Sequence, residues 1–350
     1  MPKIAIVGTT TWGKTLGVVL VHKGLQVNLW ARTEREAAEL RSARPNPAIT
    51  SSVTLPPELF ITSSLSEALA KARAVILAVP SQAMRQNIRL VAEYLNKTML
   101  VVSAAKGLEI GSNKRMSQVI AEEIDPRFVS NICVLSGPNL SREILSGLPA
   151  ATVLAAESGA IARITKKLLT APNFCVYTNT DVIGVELGGA LKNIIALGAG
   201  MADGLGYGDN AKAAFVTRGL TEMIAIGVAL GANPLTFSGL TGLGDLVATC
   251  ASPLSRNHYV GVELADGRSL KEITDSMNGV AEGVSTTIAA WGLAQQLGVE
   301  MPITERIHQI LYEGVNPRQA VAELMAAEAN HELAGRKWNL FSLFRRRRRS

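Results

Sequence analysis

Residues 3–17 read KIAIVGTTTWGKTLG, and this stretch decides the first half of the fold. An apolar run, a short turn and a helical pattern predict a β-strand that leads directly into a helix. Gly8 and Gly13 fill the first and third positions of the G-x-G-x-x-G fingerprint, in which glycines permit the turn and the approach of a pyrophosphate. Thr10 fills the middle position, where its β-carbon narrows the space and its hydroxyl can donate a hydrogen bond in return. The stretch indicates a dinucleotide site, although a strand-to-helix turn without a ligand also fits it.

The end of the second apolar run bears on the choice of coenzyme. The sequence VNLWARTE places Arg32 shortly after this run. A guanidinium there pairs with the 2′-phosphate of NADP, whereas an acidic residue would bind the ribose 2′-hydroxyl of NAD. Glu34 follows two residues later and makes the choice less sharp. We expect NADP or NAD as the cofactor, with NADPH favoured; a solvated arginine at a helix start is the simpler alternative.

Short apolar runs alternate with amphipathic helical patterns through the first half of the chain. Such runs predict an α/β fold with a Rossmann-type, doubly wound parallel sheet that helices cover on both faces. Ser81, after Pro80, is predicted to cap the helix that follows. The predicted strands are Lys3–Val7, Gln26–Trp30, Ala74–Val79, Met99–Ser103, Asn131–Ser136, Ala151–Ala155 and Phe174–Tyr177.

The strand signals end at about Asp181, and the pattern beyond is helical, interrupted by Gly, Asn and Pro. We therefore predict a dinucleotide-binding Rossmann domain over residues 1–180 and an all-helical C-terminal domain, which holds substrate and catalysis, over residues 181–335. Residues 336–350 form a separate arginine-rich tail. A chain of 350 residues has room for two domains of ordinary size.

Composition excludes some classes of function. The net charge of +6 includes the five arginines Arg345–Arg349, so the rest of the chain is near neutral and lacks the basic face of a nucleic-acid-binding domain. Cys133, Cys175 and Cys250 lie singly in apolar runs without metal-ligand spacing, which predicts reduced core thiols in a cytoplasmic protein and no metal site. Because a strand pattern begins at once, we expect no signal peptide.

Residues 186–219 carry the most unusual helix of the chain, ELGGALKNIIALGAGMADGLGYGDNAKAAFVTRG. Lys192 is set among small and aliphatic residues, where an ammonium group is costly to bury unless it has a use. The glycines around it are expected to leave room for a substrate and a nicotinamide. A lysine that extends to solvent from a helix is the ordinary alternative.

Two strand ends supply further polar groups. The sequence SAAKGLE places Lys106 just beyond a predicted strand, at the edge where open α/β sheets bind ligands. The sequence LSGPNLSREI places Gly137 and Asn139 beyond the next strand, with Ser141 near the start of a helix. These residues are expected near the reacting part of the site.

The helical half supplies an acidic and an anion-binding cluster. In TGLGDLVATC, Asp245 and Thr249 are four residues apart and share one side of a helix. Ser255, Arg256 and Asn257 follow as a compact trio whose guanidinium, amide and backbone N–H groups can hold phosphate oxygens. Taken singly, a capping aspartate and a surface arginine explain these residues equally well.

Together these groups favour hydride transfer to a small phosphorylated ketone. The carbonyl oxygen gains negative charge as it accepts hydride at carbon, and it must then gain a proton. A lysine can supply both the stabilisation and the proton.

The chain resembles the NAD(P)-dependent glycerol-3-phosphate dehydrogenases of the bacterial and plastid type, over roughly residues 3–330. The resemblance rests on the segment around Lys192, on TGLGDLVATC, on SRN and on GVAEGVST around Glu282. It implies reversible NAD(P)H-dependent reduction of dihydroxyacetone phosphate to glycerol 3-phosphate for phospholipid synthesis, with Lys192 as the general acid/base. With the residues argued above, the expected substrate contacts are Lys106, Gly137, Asn139, Asp245, Thr249, Ser255, Arg256 and Asn257. The expected cofactor contacts are Gly8, Thr11, Trp12, Gly13, Arg32, Lys106, Ser141, Arg256, Val280 and Glu282.

Two rival interpretations and the state of assembly stay open at this point. A dehydrogenase of the same two-domain architecture that acts on a β-hydroxy acid or ketopantoate would leave the SRN trio without a phosphate. A dinucleotide-binding regulator without catalysis has only Thr10 in its favour. The large helical domain favours a homodimer.

The C-terminal sequence WNLFSLFRRRRRS is distinct from the rest. Apolar side chains precede five arginines, a combination that can rest weakly on an anionic membrane surface. The simpler interpretation is a solvated, disordered tail.

Overall fold

The computed structural model describes residues 1–42, 55–277 and 279–326. Eight strands form one sheet in the order β3-β2-β1-β4-β5-β6-β7-β8, which confirms the α/β class and the Rossmann-like arrangement. The order reverses direction at β1, as in doubly wound sheets that bind ligands beyond the carboxyl ends of their strands. The strands are β1 (Lys3–Val7), β2 (Gln26–Trp30), β3 (Phe60–Thr62), β4 (Ala74–Leu77), β5 (Leu100–Ser103), β6 (Ile132–Ser136), β7 (Ala150–Ala155) and β8 (Phe174–Asn179).

The sheet departs from the prediction of a wholly parallel arrangement. β7 runs antiparallel to β6, while β8 is parallel to β7. The connection from β6 to β7 holds only a five-residue helix, α6 (Ser141–Leu145). A parallel return needs a crossover long enough to recross the sheet, usually through a full helix. The sequence does not predict β3, because three residues are too few to show the apolar pattern of a strand.

Helices cover both faces of the sheet, as predicted. One apolar core includes α1 and α7, and the core on the opposite face includes α3, α4 and α5. Buried valine, isoleucine and leucine side chains of the strands fill both cores. The helices of this half are α1 (Thr11–His22), α2 (Glu34–Ser42), α3 (Leu65–Leu69), α4 (Met84–Ala92), α5 (Met116–Glu123), α6 and α7 (Gly159–Leu169).

The second half is helical around one central helix, α8 (Val182–Gly204). α9, α11, α12 and α14 pack directly against α8. Within the described residues, α8 is long and apolar enough to cross a membrane, but 89% of its apolar window is buried inside the protein, so it is a core helix. The other helices are α9 (Gly208–Ala229), α10 (Pro234–Phe237), α11 (Asp245–Ala251), α12 (Arg256–Ala265), α13 (Leu270–Ser276), α14 (Glu282–Leu297), α15 (Pro302–Tyr312) and α16 (Pro317–Ala326).

The thiols follow the prediction only in part. Cys133 and Cys250 are buried, and burial raises the pKa of their thiols to about 11 and about 12. Cys175 is exposed, which corrects the expectation of a core residue. It alternates along the edge strand β8 with Phe174 and Val176, whose side chains fill the core instead.

Candidate active site

The centre of the site is a carboxylate held between two lysines. The Lys192 ammonium donates to Asp245 Oδ1 at 2.8 Å and to Thr249 Oγ1 at 2.5 Å. The Lys106 ammonium donates to Asp245 Oδ2 at 2.7 Å and to the carbonyl oxygen of Gly137 at 2.7 Å. Asp245 thus joins the sheet edge to the helical half through both of its oxygens.

Each of these side chains is placed by a different element. Lys192 lies in the middle of α8, and its side chain is 7% exposed. Lys106 follows β5 at the carboxyl edge of the sheet. Asp245 is the first residue of α11, directly after a turn of π-helix over Leu240–Gly244. Thr249 donates back to the Asp245 carbonyl at 2.6 Å, so the two residues share one helix face as predicted.

The glycines beside Lys192 serve the protein rather than a ligand, which corrects the expectation that they leave room for substrate and nicotinamide. A β-carbon at Gly188 would come within 2.6 Å of the Thr241 carbonyl oxygen. One at Gly189 would come within 2.2 Å of Ser136 Oγ. These glycines therefore let α8 pack closely against the turn before Asp245 and against the end of β6.

Burial and neighbouring charges shift the pKa values of Lys106 and Asp245 within this cluster. Burial lowers the pKa of the Lys106 ammonium to about 8; the Asp245 carboxylate opposes this shift and the Lys192 charge adds to it. Burial favours the neutral form of Asp245, but the charges of Lys106 and Lys192 outweigh it and hold the pKa of the carboxyl below its usual range. With both lysines protonated the cluster carries one excess positive charge, which suits an oxygen that becomes negative.

The SRN trio does not present three free side chains. Ser255 Oγ caps α12 by accepting from the His258 N–H at 3.2 Å. The Asn257 amide donates to Asn193 Oδ1 at 2.9 Å and accepts from the Gly283 N–H at 2.9 Å, so it ties α8, α12 and α14 together. The exposed Arg256 begins α12 and remains the group that can reach a phosphate.

Arg256 has room because of the glycine beside it. A β-carbon at Gly279 would come within 2.3 Å of Arg256 Nη1, and its φ of +109° also favours glycine. Val280, the next residue, is 45% exposed. Gly279 and Val280 shortly precede Glu282, whose carboxylate contacts Ser81 of the sheet half.

The strand-end residues beyond β6 line the sheet side of the cluster. Gly137, at φ +148°, turns its carbonyl toward Lys106. Asn139 donates to Thr152 Oγ1 at 3.2 Å, while its Oδ1 is buried and has no hydrogen-bond partner among the described residues. Ser141 is the first residue of α6. The Asn139 amide oxygen therefore retains an unused acceptor two residues beyond Gly137.

The turn after β1 fits a dinucleotide pyrophosphate. Gly8 has φ +112°, and a β-carbon there would come within 2.6 Å of the Ala78 carbonyl oxygen. Thr10 caps α1: its hydroxyl accepts from the Gly13 N–H at 3.1 Å and donates to Ala78 O at 2.7 Å. The first turn of α1 contains no acidic residue, so its free N–H groups favour an anion. The Thr10 hydroxyl is thus used to hold the turn.

Three further cofactor candidates are Thr11 and Trp12 in the first turn of α1 and Arg32 after β2. Trp12 packs toward Phe174, with ring centroids 6.2 Å apart, and its buried Nε1 has no hydrogen-bond partner among the described residues. Thr11 is the first residue of α1. Arg32 follows β2 and is exposed; among the described residues its guanidinium makes only long contacts of 3.4 and 3.5 Å, to Gln86 Oε1 and Asn87 Oδ1. Its guanidinium is therefore available to a phosphate.

Glu282 joins the two halves of the molecule. Its carboxylate accepts from the Ser81 N–H at 3.0 Å and from the Ser81 hydroxyl. Ser81 therefore does not cap the following helix; Pro80 precedes that turn without a side-chain cap, which corrects the prediction. Burial raises the pKa of Glu282, against the bonds from Ser81 and the charge of Arg256.

Two residues of the site region were missed from the sequence. Asn193 holds Asn257, as described above. Glu186, buried on α8, accepts from Arg115 Nη1 at 2.6 Å and from the Ser117 N–H at 2.7 Å, and so forms a second bridge between the halves. Both lie on the Lys192 helix, on either side of Gly188 and Gly189, but only the tertiary pairing reveals their use.

The fold and site define a two-domain, NAD(P)-dependent dehydrogenase class. Family models described as the N-terminus and the C-terminus of NAD-dependent glycerol-3-phosphate dehydrogenase match residues 3–162 and 181–322. The glycerol-3-phosphate dehydrogenase [NAD(P)+] of Dehalococcoides mccartyi is 65% identical over 99% of this chain and 97% of its own. The chain belongs to this family, as the sequence resemblance indicated.

Solved structures agree with this assignment. The glycerol-3-phosphate dehydrogenase of Coxiella burnetii is 35% identical with a TM-score of 0.86, over 93% of this chain and 98% of its own. A ketopantoate reductase of Ralstonia eutropha has a TM-score of 0.55 over 92% of this chain and 99% of its own, at only 15% identity. The similarity to the ketopantoate reductase is limited to the fold, so the alternative hypothesis of a ketopantoate reductase is not favoured.

Proposed function

We propose that this protein reduces dihydroxyacetone phosphate to sn-glycerol 3-phosphate with NADPH or NADH, reversibly, and supplies glycerophospholipid synthesis. The observation that carries the proposal is Asp245 held between Lys192 and Lys106 at the carboxyl edge of a dinucleotide-binding sheet. The family membership of the chain supports the same reaction. Residues 1–180 form the coenzyme domain in this proposal, and residues 181–335 form the substrate and catalytic domain.

Lys192 acts as the general acid in reduction. The bound coenzyme supplies the hydride that reaches the carbonyl carbon. The Lys192 ammonium, held by Asp245 and Thr249, donates a hydrogen bond to the carbonyl oxygen and transfers its proton there as the carbon–hydrogen bond forms. Solvent returns a proton to the Lys192 amine, and in the reverse direction the same amine takes the proton from the alcohol.

Lys106 and Arg256 hold the substrate in place. Lys106, held by its contacts with Asp245 and Gly137, places a positive charge beside the carbonyl oxygen of the substrate. Arg256 and the N–H groups at the start of α12 bind the phosphate, with Ser255 at the cap. Asn257 supports this end of α12 from within the core, and Asn139 contacts a substrate hydroxyl.

The turn after β1 and the start of α1 would hold the pyrophosphate of the coenzyme. Arg32 pairs with the 2′-phosphate, so NADPH is favoured over NADH. The remaining proposed cofactor contacts are Gly8, Thr11, Trp12, Gly13, Lys106, Ser141, Arg256, Val280 and Glu282.

A substrate comparison tests the function. We expect the purified protein to oxidise NADPH when dihydroxyacetone phosphate is added, and to leave ketopantoate and β-keto acids unreduced. Turnover of the carboxylate substrates without turnover of the phosphate substrate would support the rival dehydrogenase. Coenzyme binding measured by calorimetry, with no turnover of any substrate at any pH, would instead indicate a regulator.

The protein acts in the cytoplasm as a homodimer in this proposal. The helical half exposes Leu235 and Val247, and β8 exposes Tyr177, which offers apolar surface to a second copy. Light scattering on the purified chain is expected to give twice the mass of 37.1 kDa. A monomer at micromolar concentration would contradict the dimer.

The tail over residues 336–350 lies outside the described residues, and its proposed role rests on its sequence. Five arginines after an apolar stretch bind weakly to anionic lipid, each adding about 1 kcal/mol near the surface. Vesicles that contain anionic lipid should co-sediment more of the full chain than of a chain that ends at residue 335. Equal sedimentation of both chains would show a solvated tail.

A further inference from the structure

Glu36 places a carboxylate beside the turn that holds the pyrophosphate. It lies in the first turn of α2 and is half-buried. Its Oε1 accepts from the Thr9 hydroxyl, and its Oε2 accepts from the Arg32 backbone N–H at 3.0 Å. The carboxylate therefore connects the turn after β1 to the end of β2.

This location is where a dinucleotide-binding fold meets the adenosine ribose. An acidic residue at the end of β2 binds the ribose 2′-hydroxyl of NAD, and an arginine nearby accommodates the 2′-phosphate of NADP. Here both kinds of group are present. The Glu36 carboxylate contacts the backbone N–H of Arg32, whose guanidinium makes only long contacts among the described residues. Each carboxylate oxygen can accept a further hydrogen bond in addition to the one it already accepts.

Glu34, the other acidic residue in the first turn of α2, is hydrogen-bonded to different partners. Glu34 accepts from Arg41 and from the Ser63 hydroxyl, and both bonds lower the pKa of its carboxyl. Its partners belong to α2 and to the turn after β3. Glu36 is thus the carboxylate that borders both Arg32 and the pyrophosphate turn.

We propose that Glu36 is a specificity-determining residue that allows this protein to use NADH as well as NADPH. Glu36 accepts the ribose 2′-hydroxyl of NADH and opposes the 2′-phosphate of NADPH by charge repulsion. Arg32 acts in the opposite sense, since its guanidinium attracts the phosphate. The inference rests on the coenzyme site of the proposed function, and it assigns the choice of coenzyme to the balance of these two side chains.

Coenzyme binding by calorimetry tests this balance. The dissociation constants of NADPH and NADH are measured for the wild type, for Glu36→Gln and for Arg32→Gln. Glutamine removes the charge, keeps one oxygen to accept from the Thr9 hydroxyl or the Arg32 N–H, and has an NH₂ donor in place of the other oxygen. The matched control is Glu39→Gln on the same helix, where the carboxylate is exposed and lies 3.6 Å from Arg35.

We expect Glu36→Gln to shift the preference about tenfold toward NADPH, which corresponds to about 1.4 kcal/mol. Arg32→Gln should shift it at least as far toward NADH, and Glu39→Gln should leave it unchanged. An unchanged ratio in Glu36→Gln, with or without equal weakening of both coenzymes, would make Glu36 a purely structural tie and overturn the proposal. A shift toward NADH would overturn it as well.

The same experiment separates this inference from the proposed reaction. Binding ratios do not depend on turnover, so they stand even if dihydroxyacetone phosphate is not reduced. Thermal unfolding of each variant identifies any loss of folding. If Glu36→Gln does not fold, Glu36→Ser gives the same comparison with a neutral hydroxyl in place of the carboxylate.

Discussion

Asp245 and Glu222 are both buried carboxyl groups of the helical half, but their partners differ in charge. Asp245 is bound by two ammonium groups. Glu222, on α9, is bound by neutral donors at the start of α15: the N–H groups of Ile303 and Thr304, at 2.5 and 3.1 Å, and the Thr304 hydroxyl at 3.0 Å. One carboxyl joins the site across the two halves, and the other caps a helix within one half.

Their pKa values move in opposite directions for this reason. Burial raises the pKa of Glu222 to about 7; the neutral donors, and to a smaller extent the charge of Arg218, oppose this shift only in part. The pKa of Asp245 is held below its usual range, because two cations outweigh its burial. The charge of the partners, rather than the depth of burial, decides whether a buried carboxyl stays ionised. An ionised Asp245 can orient two lysines for chemistry, whereas Glu222 stabilises α15.

The largest expected effect is on catalysis, from Lys192→Met. This change keeps an unbranched side chain and removes the proton donor. We expect kcat for dihydroxyacetone phosphate reduction to fall by about 10³-fold, within the range for loss of a general acid. Lys271→Met, at an exposed lysine of α13, is the control and should keep wild-type kcat. A kcat within tenfold of wild type would remove Lys192 from the mechanism.

Asp245→Asn should have the next largest effect. It leaves the ammonium groups of Lys192 and Lys106 without their countercharge and frees their orientation. We expect kcat/KM for dihydroxyacetone phosphate to fall by about 10²-fold, since misplacement of a catalytic group costs about this much. Steady-state kinetics measures it, with Glu222→Gln as the matched change in the other carboxyl. Similar losses in both variants would contradict the distinction between the two regions.

Glu222→Ala should affect stability and leave chemistry intact. It removes the acceptor of buried N–H groups at the start of α15, which has no side-chain cap of its own. We expect the free energy of unfolding to fall by about 3 kcal/mol, measured in urea, with kcat unchanged. A fall in kcat without a fall in stability would show that the capping role is wrong.

The Glu222 carboxyl group also makes the free energy of unfolding depend on pH. Its pKa is raised from 4.5 to about 7, so the folded state binds the proton more tightly than the unfolded chain does. Its contribution is complete below pH 4.5 and is lost as the pH rises through about 7. The difference in unfolding free energy between wild type and Glu222→Ala should become smaller as the pH rises from 4.5 through about 7. A difference that stays constant over this pH range would contradict the raised pKa of Glu222.

The smallest expected effect is the alkaline limb of the rate profile. The pKa of Lys106 is about 8, so the ammonium that pairs with Asp245 is lost above that pH. We expect kcat/KM for dihydroxyacetone phosphate to fall up to about tenfold per pH unit beyond it. Lys106→Arg stays protonated and should lack this limb, even if its overall rate is lower. An identical limb in both proteins would assign it to another group.

The sequence predicted the fold class because its signals are local. The alternation of apolar strands and helices, and the loss of strands after Asp181, are visible in short windows. The reversal of β7 was not, because it depends on how a short connection returns across the sheet. The three-residue β3 fell below the length at which a pattern can be recognised.

The sequence identified the residues of the buried lysine–aspartate cluster as candidates but did not predict their arrangement. Lys192 stood out as a charge in an apolar helix, and Asp245 with Thr249 as a helix face. That Lys106 and Lys192 would take opposite oxygens of Asp245 depends on contacts across 139 and 53 residues. The use of Thr10, Asn257 and Glu282 within the protein likewise follows from tertiary pairing that no local pattern contains.

The most direct test of the contrast between the two carboxyls is an infrared titration of the protonated carboxyl band. Spectra of the wild type, Glu222→Ala and Asp245→Asn are compared from about pH 5 to about pH 8. We expect a band that disappears near pH 7 in the wild type and in Asp245→Asn, and that Glu222→Ala lacks. Two results would contradict the contrast between a protonated Glu222 and an ionised Asp245. One is a protonated-carboxyl band at neutral pH that is lost in Asp245→Asn, and the other is the absence of any band assignable to Glu222.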